Sequence, residues 1–388
     1  MPAPVVLFYV QHLLGTGHLR RVVLLAQAMA ARGLVVELVS GGLPVADLDY
    51  SGMRLHQLPP LAARDARFSA LVDAAGREPD AAYLARRREQ LLALFHALRP
   101  AALITESFPF GRRQLRFELL PLLAAVAAAR PRPLLAASIR DVQQARKPQR
   151  IAETLALVRE HYDYVLVHGD PAFLPLEASF PAAAELGERL IYTGLVASPA
   201  PAAAPGGVGA GAVLVSAGGG AVGLRLYRTA LAAHALTQAR QRPWRLLVGH
   251  NLNAATFAEL RANAPAGVSV ERARPDFPQL LARCALSVSQ AGYNTVMDLL
   301  RAGTRAVLVP FQGSGETEQV LRAARLQALG LARVVEETQL SPATLAAAVD
   351  AALTTPQVPA PALALDGAER SAALLASWLG VSAPEGVI

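Results

Sequence analysis

The sequence predicts an α/β protein built from two doubly wound, parallel-sheet domains. Three observations carry this. Short β-branched apolar runs alternate with segments of helical apolar period along the whole chain. The runs end in polar, Gly-rich turns, as strands do where they feed helices. One stretch, VASPAPAAAPGGVGAG (196–211), breaks the alternation. Its Pro, Ala and Gly show no period, which reads as a linker. The expected organisation is an N-terminal domain over 1–197, a linker over 198–211, a C-terminal domain over 212–365 and a closing helix within 366–388. At 388 residues and 53% apolar, the chain can bury two cores.

PVVLFYV (4–10) is the first buried strand. A Gly loop follows over 11–17. His18 to about Arg32 has a helical stripe of Leu19, Val22, Val23, Leu25, Ala26 and Met29, ended by Gly33. LVVELVS (34–40) is the next strand, and this β-loop-α-β unit implies parallel pairing. Further strands are expected near 54–58, 101–105, 133–138 and 163–168, with helices near 79–98, 112–129 and 149–160. After the linker come a strand at 212–217, the turn Gly218-Gly219-Gly220, a helix to about 240, a strand at 244–249, a helix at 254–263 and a strand at 267–271. The last elements are a strand at 331–336, a helix at 341–353, a Pro-rich extended stretch at 354–367 and an amphipathic helix at 368–380.

The stretch from Arg274 to Gln319 holds most of the chemistry. CALSVS (284–289) is a buried strand, followed at once by Gln290, Gly292, Asn294 and Thr295 and by a helix carrying Val296, Leu299 and Leu300. Free N–H groups at a helix start suit a phosphate. Asp298, one turn on, is placed to take ribose hydroxyls. The strand AVLVPF (306–311) ends in a Gly/Ser loop with Glu316, Glu318 and Gln319, acid and amide groups that suit a ligand rich in hydroxyls. Ser216 and Gly218–Gly220 offer backbone N–H groups for a second phosphate contact.

This stretch resembles the donor-binding region of GT-B glycosyltransferases, in particular family 28 and the UDP-glycosyltransferases. The resemblance implies a GT-B architecture: two Rossmann-like domains facing across a cleft, with the C-terminal helix crossing back to the N-terminal domain. It implies that Arg274 and Phe277, in RPDFPQLLARC, border the uracil base. It matches Gly292, Asn294 and Thr295 to the diphosphate turn, Asp298 to the ribose acid, and Glu318 and Gln319 to the pair that holds the donor sugar. Gly17 of the first loop joins the donor-binding set. Two positions depart from the pattern. Gln290 stands where many UDP-glycosyltransferases have a His, and Asp298 is one methylene shorter than the family's Glu.

Gly15-Thr16-Gly17-His18 opens the first helix at the carboxyl end of the first strand, facing the crevice of an open sheet. The positive end of the helix dipole disfavours the imidazolium, which leaves His18 a neutral base. Transfer to a hydroxyl needs such a base. Glu106, after the strand AALIT, is assigned to orient it, with Asp141 a second candidate. The resemblance implies inverting, metal-independent hexosyl transfer from a UDP-sugar to a glycan, lipid or small-molecule acceptor, with no cofactor beyond the donor. GxGHxxR also resembles UDP-sugar hydrolases of the pseudaminic-acid type, where the His activates water. A UDP-GlcNAc 2-epimerase and an idle sugar-nucleotide binder are the other readings. Asp47-Leu48-Asp49 spells DxD but precedes every donor motif and reads as coincidence. No spacing suggests a zinc site.

The net charge of +7 is spread over both halves, and only 5% of residues are aromatic, which argues against nucleic acid as a partner. The clusters Arg86-Arg87-Arg88, Arg112-Arg113-Arg116 and Arg146-Lys147-Arg150 either form solvated helix faces or meet an anionic membrane surface. No apolar run reaches the about 18 residues of a membrane span. The single cysteine, Cys284, reads as a small core residue and permits no intrachain disulfide. The N-terminus reads as a strand rather than a signal peptide. A cytoplasmic protein, peripheral at the inner membrane face, is the expectation.

Overall fold

The computed structural model describes residues 2–65, 70–200, 206–218, 223–250, 252–313 and 317–381. The chain divides into two compact units, residues 1–196 with 364–388, and residues 197–363.

Unit 1 is built on seven parallel strands: β1 (Val5–Val10), β2 (Val35–Ser40), β3 (Met53–Gln57), β6 (Ala102–Glu106), β7 (Leu134–Arg140), β8 (Tyr164–His168) and β9 (Leu190–Tyr192). Their spatial order is β3-β2-β1-β6-β7-β8-β9, which reverses direction at the β1–β6 pair. A small antiparallel pair, β4 (Ala62–Ala63) with β5 (Leu71–Val72), lies in the loop region between β3 and β6. Neither this pair nor β9 is expected from sequence, because two- and three-residue strands are too short to show a period. Val6, Phe8 and Val10 of β1 join one core and Leu7 and Tyr9 the other. A strand covered on both faces must be apolar at successive positions, which is why PVVLFYV shows no alternation.

One face is covered by α1 (Gly17–Ala31), the other by α2 (Ala81–Leu98), α3 (Arg116–Ala128) and α4 (Pro148–His161). Asp80 caps α2 by accepting from the Tyr83 N–H at 2.7 Å.

Unit 2 has six parallel strands: β10 (Val213–Ser216), β11 (Trp244–Val248), β12 (Val268–Arg272), β13 (Leu286–Ser289), β14 (Ala306–Leu308) and β15 (Ala332–Val334). Their order, β12-β11-β10-β13-β14-β15, is the 3-2-1-4-5-6 winding of a nucleotide-binding sheet. Its helices are α5 (Leu224–Ala233), α6 (Ala254–Ala262), α7 (Phe277–Arg283), α8 (Tyr293–Ala302), α9 (Glu318–Ala328) and α10 (Pro342–Thr354). α5 stops at Ala233, short of the expected 240. Thr237 starts a separate 3₁₀ turn there, accepting from the Ala239 N–H at 3.0 Å and donating to Asp350 at 2.5 Å. Cys284 caps the end of α7 and is half-buried rather than a core residue.

The last helix, α11 (Gly367–Trp378), belongs to unit 1 and packs on α1 through Ala368, Ala372 and Leu375. Trp378 stacks on Tyr164 with ring centroids 4.0 Å apart. Among the described residues no helix is long and apolar enough to cross a membrane.

Candidate functional site

In an open parallel sheet, neighbouring strands that wind in opposite directions leave a crevice at their carboxyl ends. In unit 1 those strands are β1 and β6. β1 leads through the Gly loop into α1, whose second residue is His18. β6 ends on Glu106. Side-by-side strand ends therefore bring together residues 88 apart in sequence, and His18 Nδ1 lies 2.6 Å from Glu106 Oε1.

Glu106 is fully buried. The same Oε1 accepts from Arg21 and from the Ser107 hydroxyl, the latter at 2.8 Å. Burial works against the charged carboxylate, but His18, Arg21 and Arg112 outweigh it and hold Glu106 below the usual carboxylate range. An ionised carboxylate only accepts, so Nδ1 carries the imidazole proton and Nε2 keeps its lone pair. Burial pushes His18 from 6.5 down to about 3, with Arg112 and Arg140 acting in the same sense and Glu106 opposing. The ring remains reachable, its side chain 19% exposed. The pair is thus a neutral base held in one tautomer.

Arg21 and Ser107 carry no role in the sequence reading, yet both hold the acid. Arg21 stands three residues after His18 on one helix face, a spacing that could have flagged it. Ser107 adopts a left-handed φ of 64°, and its N–H donates to Ser138 O at 2.9 Å. Asp141, the second candidate, is buried and accepts from the Val142 N–H at 2.9 Å.

Arg87 corrects the reading of Arg86-Arg87-Arg88 as a solvated or membrane-facing cluster. Its guanidinium is fully buried and reaches Glu118 at 2.6 and 2.9 Å, Gln11 Oε1 at 2.6 Å and the Gly41 and Pro59 carbonyls at 2.7 Å. A side chain on Gly41 would collide with Arg87. Arg112 likewise turns inward, donating to the Gln11 carbonyl at 2.7 Å, while Arg113 and Arg116 pair with Glu153. The inward charges lie beneath the loop that carries His18 and tie it to α2 and α3. In the DxD sequence, Asp49 is occupied by Ser51 and Gln27.

In unit 2 the reversal falls between β10 and β13, and Ser216 pairs in register with Ser289. Ser216 and Gly218 at the end of β10 therefore neighbour Gln290, Gly292, Asn294 and Thr295 at the end of β13. The Gln290 N–H donates to Ser216 O at 3.3 Å. The Ser216 and Ser289 hydroxyls are buried without a hydrogen-bond partner among the described residues. Gly218 turns the chain with a φ of 66°, a conformation suited to glycine. Gly219, Gly220 and Glu316 lie outside the described residues. Gly292 caps α8, and Asn294 and Thr295 sit half-buried in its first turn.

Residues 214–373 match the glycosyltransferase family 28 C-terminal domain. The fold also resembles that of the calicheamicin glycosyltransferase CalG4, with a TM-score of 0.63 and 18% identity over 99% of this chain and 100% of that one. Against Acinetobacter baumannii MurG the TM-score is 0.57, with 17% identity over 97% of this chain and 99% of that one. The fold is GT-B.

Sequence relatives of this GT-B chain include a UDP-N-acetylglucosamine--N-acetylmuramyl-(pentapeptide) pyrophosphoryl-undecaprenol N-acetylglucosamine transferase of Brucella anthropi. It is 35% identical over 143 residues, 36% of this chain and 38% of that protein. The enzyme of the same name from Mesorhizobium japonicum is 32% identical over 197 residues, 48% of this chain and 50% of that protein. The chain thus spans half or less of the length of these relatives.

The remaining residues that the sequence reading assigns to the donor divide into two groups. Gln319, in the first turn of α9, accepts at Oε1 from the Ala291 N–H at 3.1 Å and the Phe311 N–H at 3.0 Å. It joins the loops after β13 and β14 and leaves its amide nitrogen to donate. Glu318 is buried with Arg322 at 3.4 Å, and Arg322 lies 5.4 Å from the Tyr293 ring. Asp298 is buried within α8. Arg274 and Phe277 instead follow β12, an edge strand two positions from β10. Arg274 is held by Asp276 at 2.8 Å and Glu271 at 3.3 Å. Gly17 is the exposed first residue of α1, in unit 1. His250 contacts Ala273 O at 3.1 Å. Among the described residues no three His, Cys, Asp or Glu side chains converge as a metal site would require.

Proposed function

We propose that this chain is an inverting, metal-independent glycosyltransferase that moves a hexosyl group from a UDP-sugar to an acceptor hydroxyl. The observation that carries the reading is the 2.6 Å bond from His18 Nδ1 to Glu106, which leaves Nε2 as an unprotonated acceptor. In the reaction Nε2 takes the acceptor's hydroxyl proton as the oxygen bonds to the anomeric carbon. The bond from that carbon to the diphosphate breaks on the opposite face, and UDP carries away the electron pair. An oxocarbenium-like state lies between.

The C-terminal unit binds the donor. Backbone N–H groups after β10 and at the start of α8 take the diphosphate, with Asn294 and Thr295 beside them. Asp298 takes the ribose, Arg274 and Phe277 border the base, and Glu318 and Gln319 hold the sugar. The matched relatives use UDP-N-acetylglucosamine by name, which makes it the first donor to test. A glycan, a lipid or a small molecule serves as acceptor.

The test is UDP release from UDP-N-acetylglucosamine, with and without lipid and glycan acceptors. Acceptor-dependent release, reduced by roughly 10²–10⁴ in His18→Ala with UDP binding retained, is the expected result. Release of free sugar at the same rate without acceptor would instead make His18 the activator of water in a hydrolase. Equal turnover of mutant and wild type would remove His18 from the mechanism.

A further inference from the structure

A cavity of about 280 Å³ lies wholly within unit 2, at the amino ends of β14 and β15. This is the end of the sheet opposite the β10–β13 crevice. Its apolar lining comes from Leu299, Leu300, Leu326 and Leu331, and one wall is the Pro-rich strap of residues 356–360, including Val358. The strap lies in unit 2 and leads to one of the two places where the chain passes between the units, at residues 363–364. It is tied down by Gln357, which donates to the Gly303 carbonyl, and just before it Thr355 accepts from Arg333 at 2.8 Å.

One charge in this lining stands out. Arg305 enters the cavity wall directly before β14, and its Nε is buried without a hydrogen-bond partner. No ion pair or side-chain hydrogen bond to Arg305 exists among the described residues, whereas the buried Arg87 and Arg322 each have a carboxylate. Arg305 as a whole is half-buried, so only its Nε is shut off from solvent and its terminal nitrogens remain open to a ligand. The carboxyl ends of α8, α9 and α10 converge at this end of the sheet and favour positive charge, which explains why Arg305 and Arg333 gather there. That field does not attract an anion. A bound anion must therefore be held by direct contact with the guanidinium.

We propose that this cavity binds an amphipathic anion, with its apolar chain on the leucines under the strap and its carboxylate or phosphate head on Arg305. The volume suits a chain on the order of ten heavy atoms, judged by the liquid volume of water. A ligand in this place contacts both the body of unit 2 and the strap, so its binding stiffens that connection. This inference is independent of the donor-site reading, because it shares no residue with it.

Isothermal calorimetry on the full chain tests it with three probes of one length: decanoate, decan-1-ol and decylamine. Decanoate is expected to bind saturably and more tightly than the other two. Arg305→Gln should weaken decanoate about tenfold, the loss of a charge-assisted contact, and leave decanol unchanged. Val358→Trp, which fills the cavity from the strap, should abolish decanoate binding while UDP binding persists. Hydrogen exchange at residues 355–360 should slow with decanoate in wild type and not in Arg305→Gln, a readout that stands even if Val358→Trp fails to fold. Absence of saturable binding overturns the proposal. So does equal or tighter binding of decanol or decylamine, or an unchanged decanoate affinity in Arg305→Gln.

Discussion

Replacing Glu106 by Gln keeps the shape of the side chain and removes its charge. In the wild type the carboxylate lies 2.6 Å from Nδ1, so it stabilises the imidazolium that forms as His18 takes a proton. With the charge centres about 4 Å apart and an effective dielectric of about 20, that attraction is ~4 kcal/mol, or ~10³ in rate. Arg21 and Arg112 offset part of the carboxylate's field, so a fall in kcat of about 10²–10³ is expected. The carboxamide can also turn its NH₂ toward Nδ1, which shifts the proton to Nε2 and removes the base altogether. The assay is the initial rate of UDP release at saturating donor, with UDP affinity measured separately by calorimetry and expected to be unchanged. Because Arg21 loses its counter-ion, the variant's thermal melt must be recorded and the rate taken well below it. The pH profile supplies a second readout. His18 works deprotonated, so with a value near 3 the wild-type kcat/KM persists as pH falls through 6.5 and is lost only toward about 3. A folded Glu106→Gln enzyme within about threefold of wild type, a difference under about 1 kcal/mol, would refute the reasoning. A wild-type acid limb centred at 6.5 would refute it independently.

Asp298→Ala should weaken UDP binding, and calorimetry giving an unaltered affinity would remove Asp298 from the ribose site. Arg87→Met leaves the buried Glu118 without its cation and should cost about 3–5 kcal/mol in urea denaturation. A loss below about 1 kcal/mol would contradict the pairing described for it. His168 is buried between Ser138 at 2.8 Å and Thr193 at 2.9 Å, and burial lowers it from 6.5 to about 3. Its neutral form therefore stabilises the fold fully above 6.5, and that stability is lost as pH falls from 6.5 toward 3. His168→Gln should flatten the decline in this window by up to about 1.4 kcal/mol per pH unit, and identical slopes by urea titration would refute the assignment.

The alternation of apolar runs and helical stripes was enough to read both sheets and most helices from sequence, because the central strands are covered on both faces and the helices on one. Gly33 and Gly218 marked their turns for a local reason, the left-handed backbone each turn requires. The motif order from Arg274 to Gln319 pointed to the family 28 match before any coordinates. What stayed hidden depends on contacts distant in sequence. Arg87 looks like one of three solvated arginines, and only the arrival of Glu118 from α3, with the Gly41 loop above, makes it a buried ion. Arg21 meets Glu106 because β1 and β6 end side by side, an adjacency created by strand order, whereas Ser107 simply follows Glu106 in the chain. The same holds for Gln319, whose oxygen joins two loops that no spacing rule connects. Periodicity and turn chemistry act within a few residues and can be read in one dimension. Which charges meet, and which nitrogen of His18 keeps its lone pair, follows from where the strands end in space.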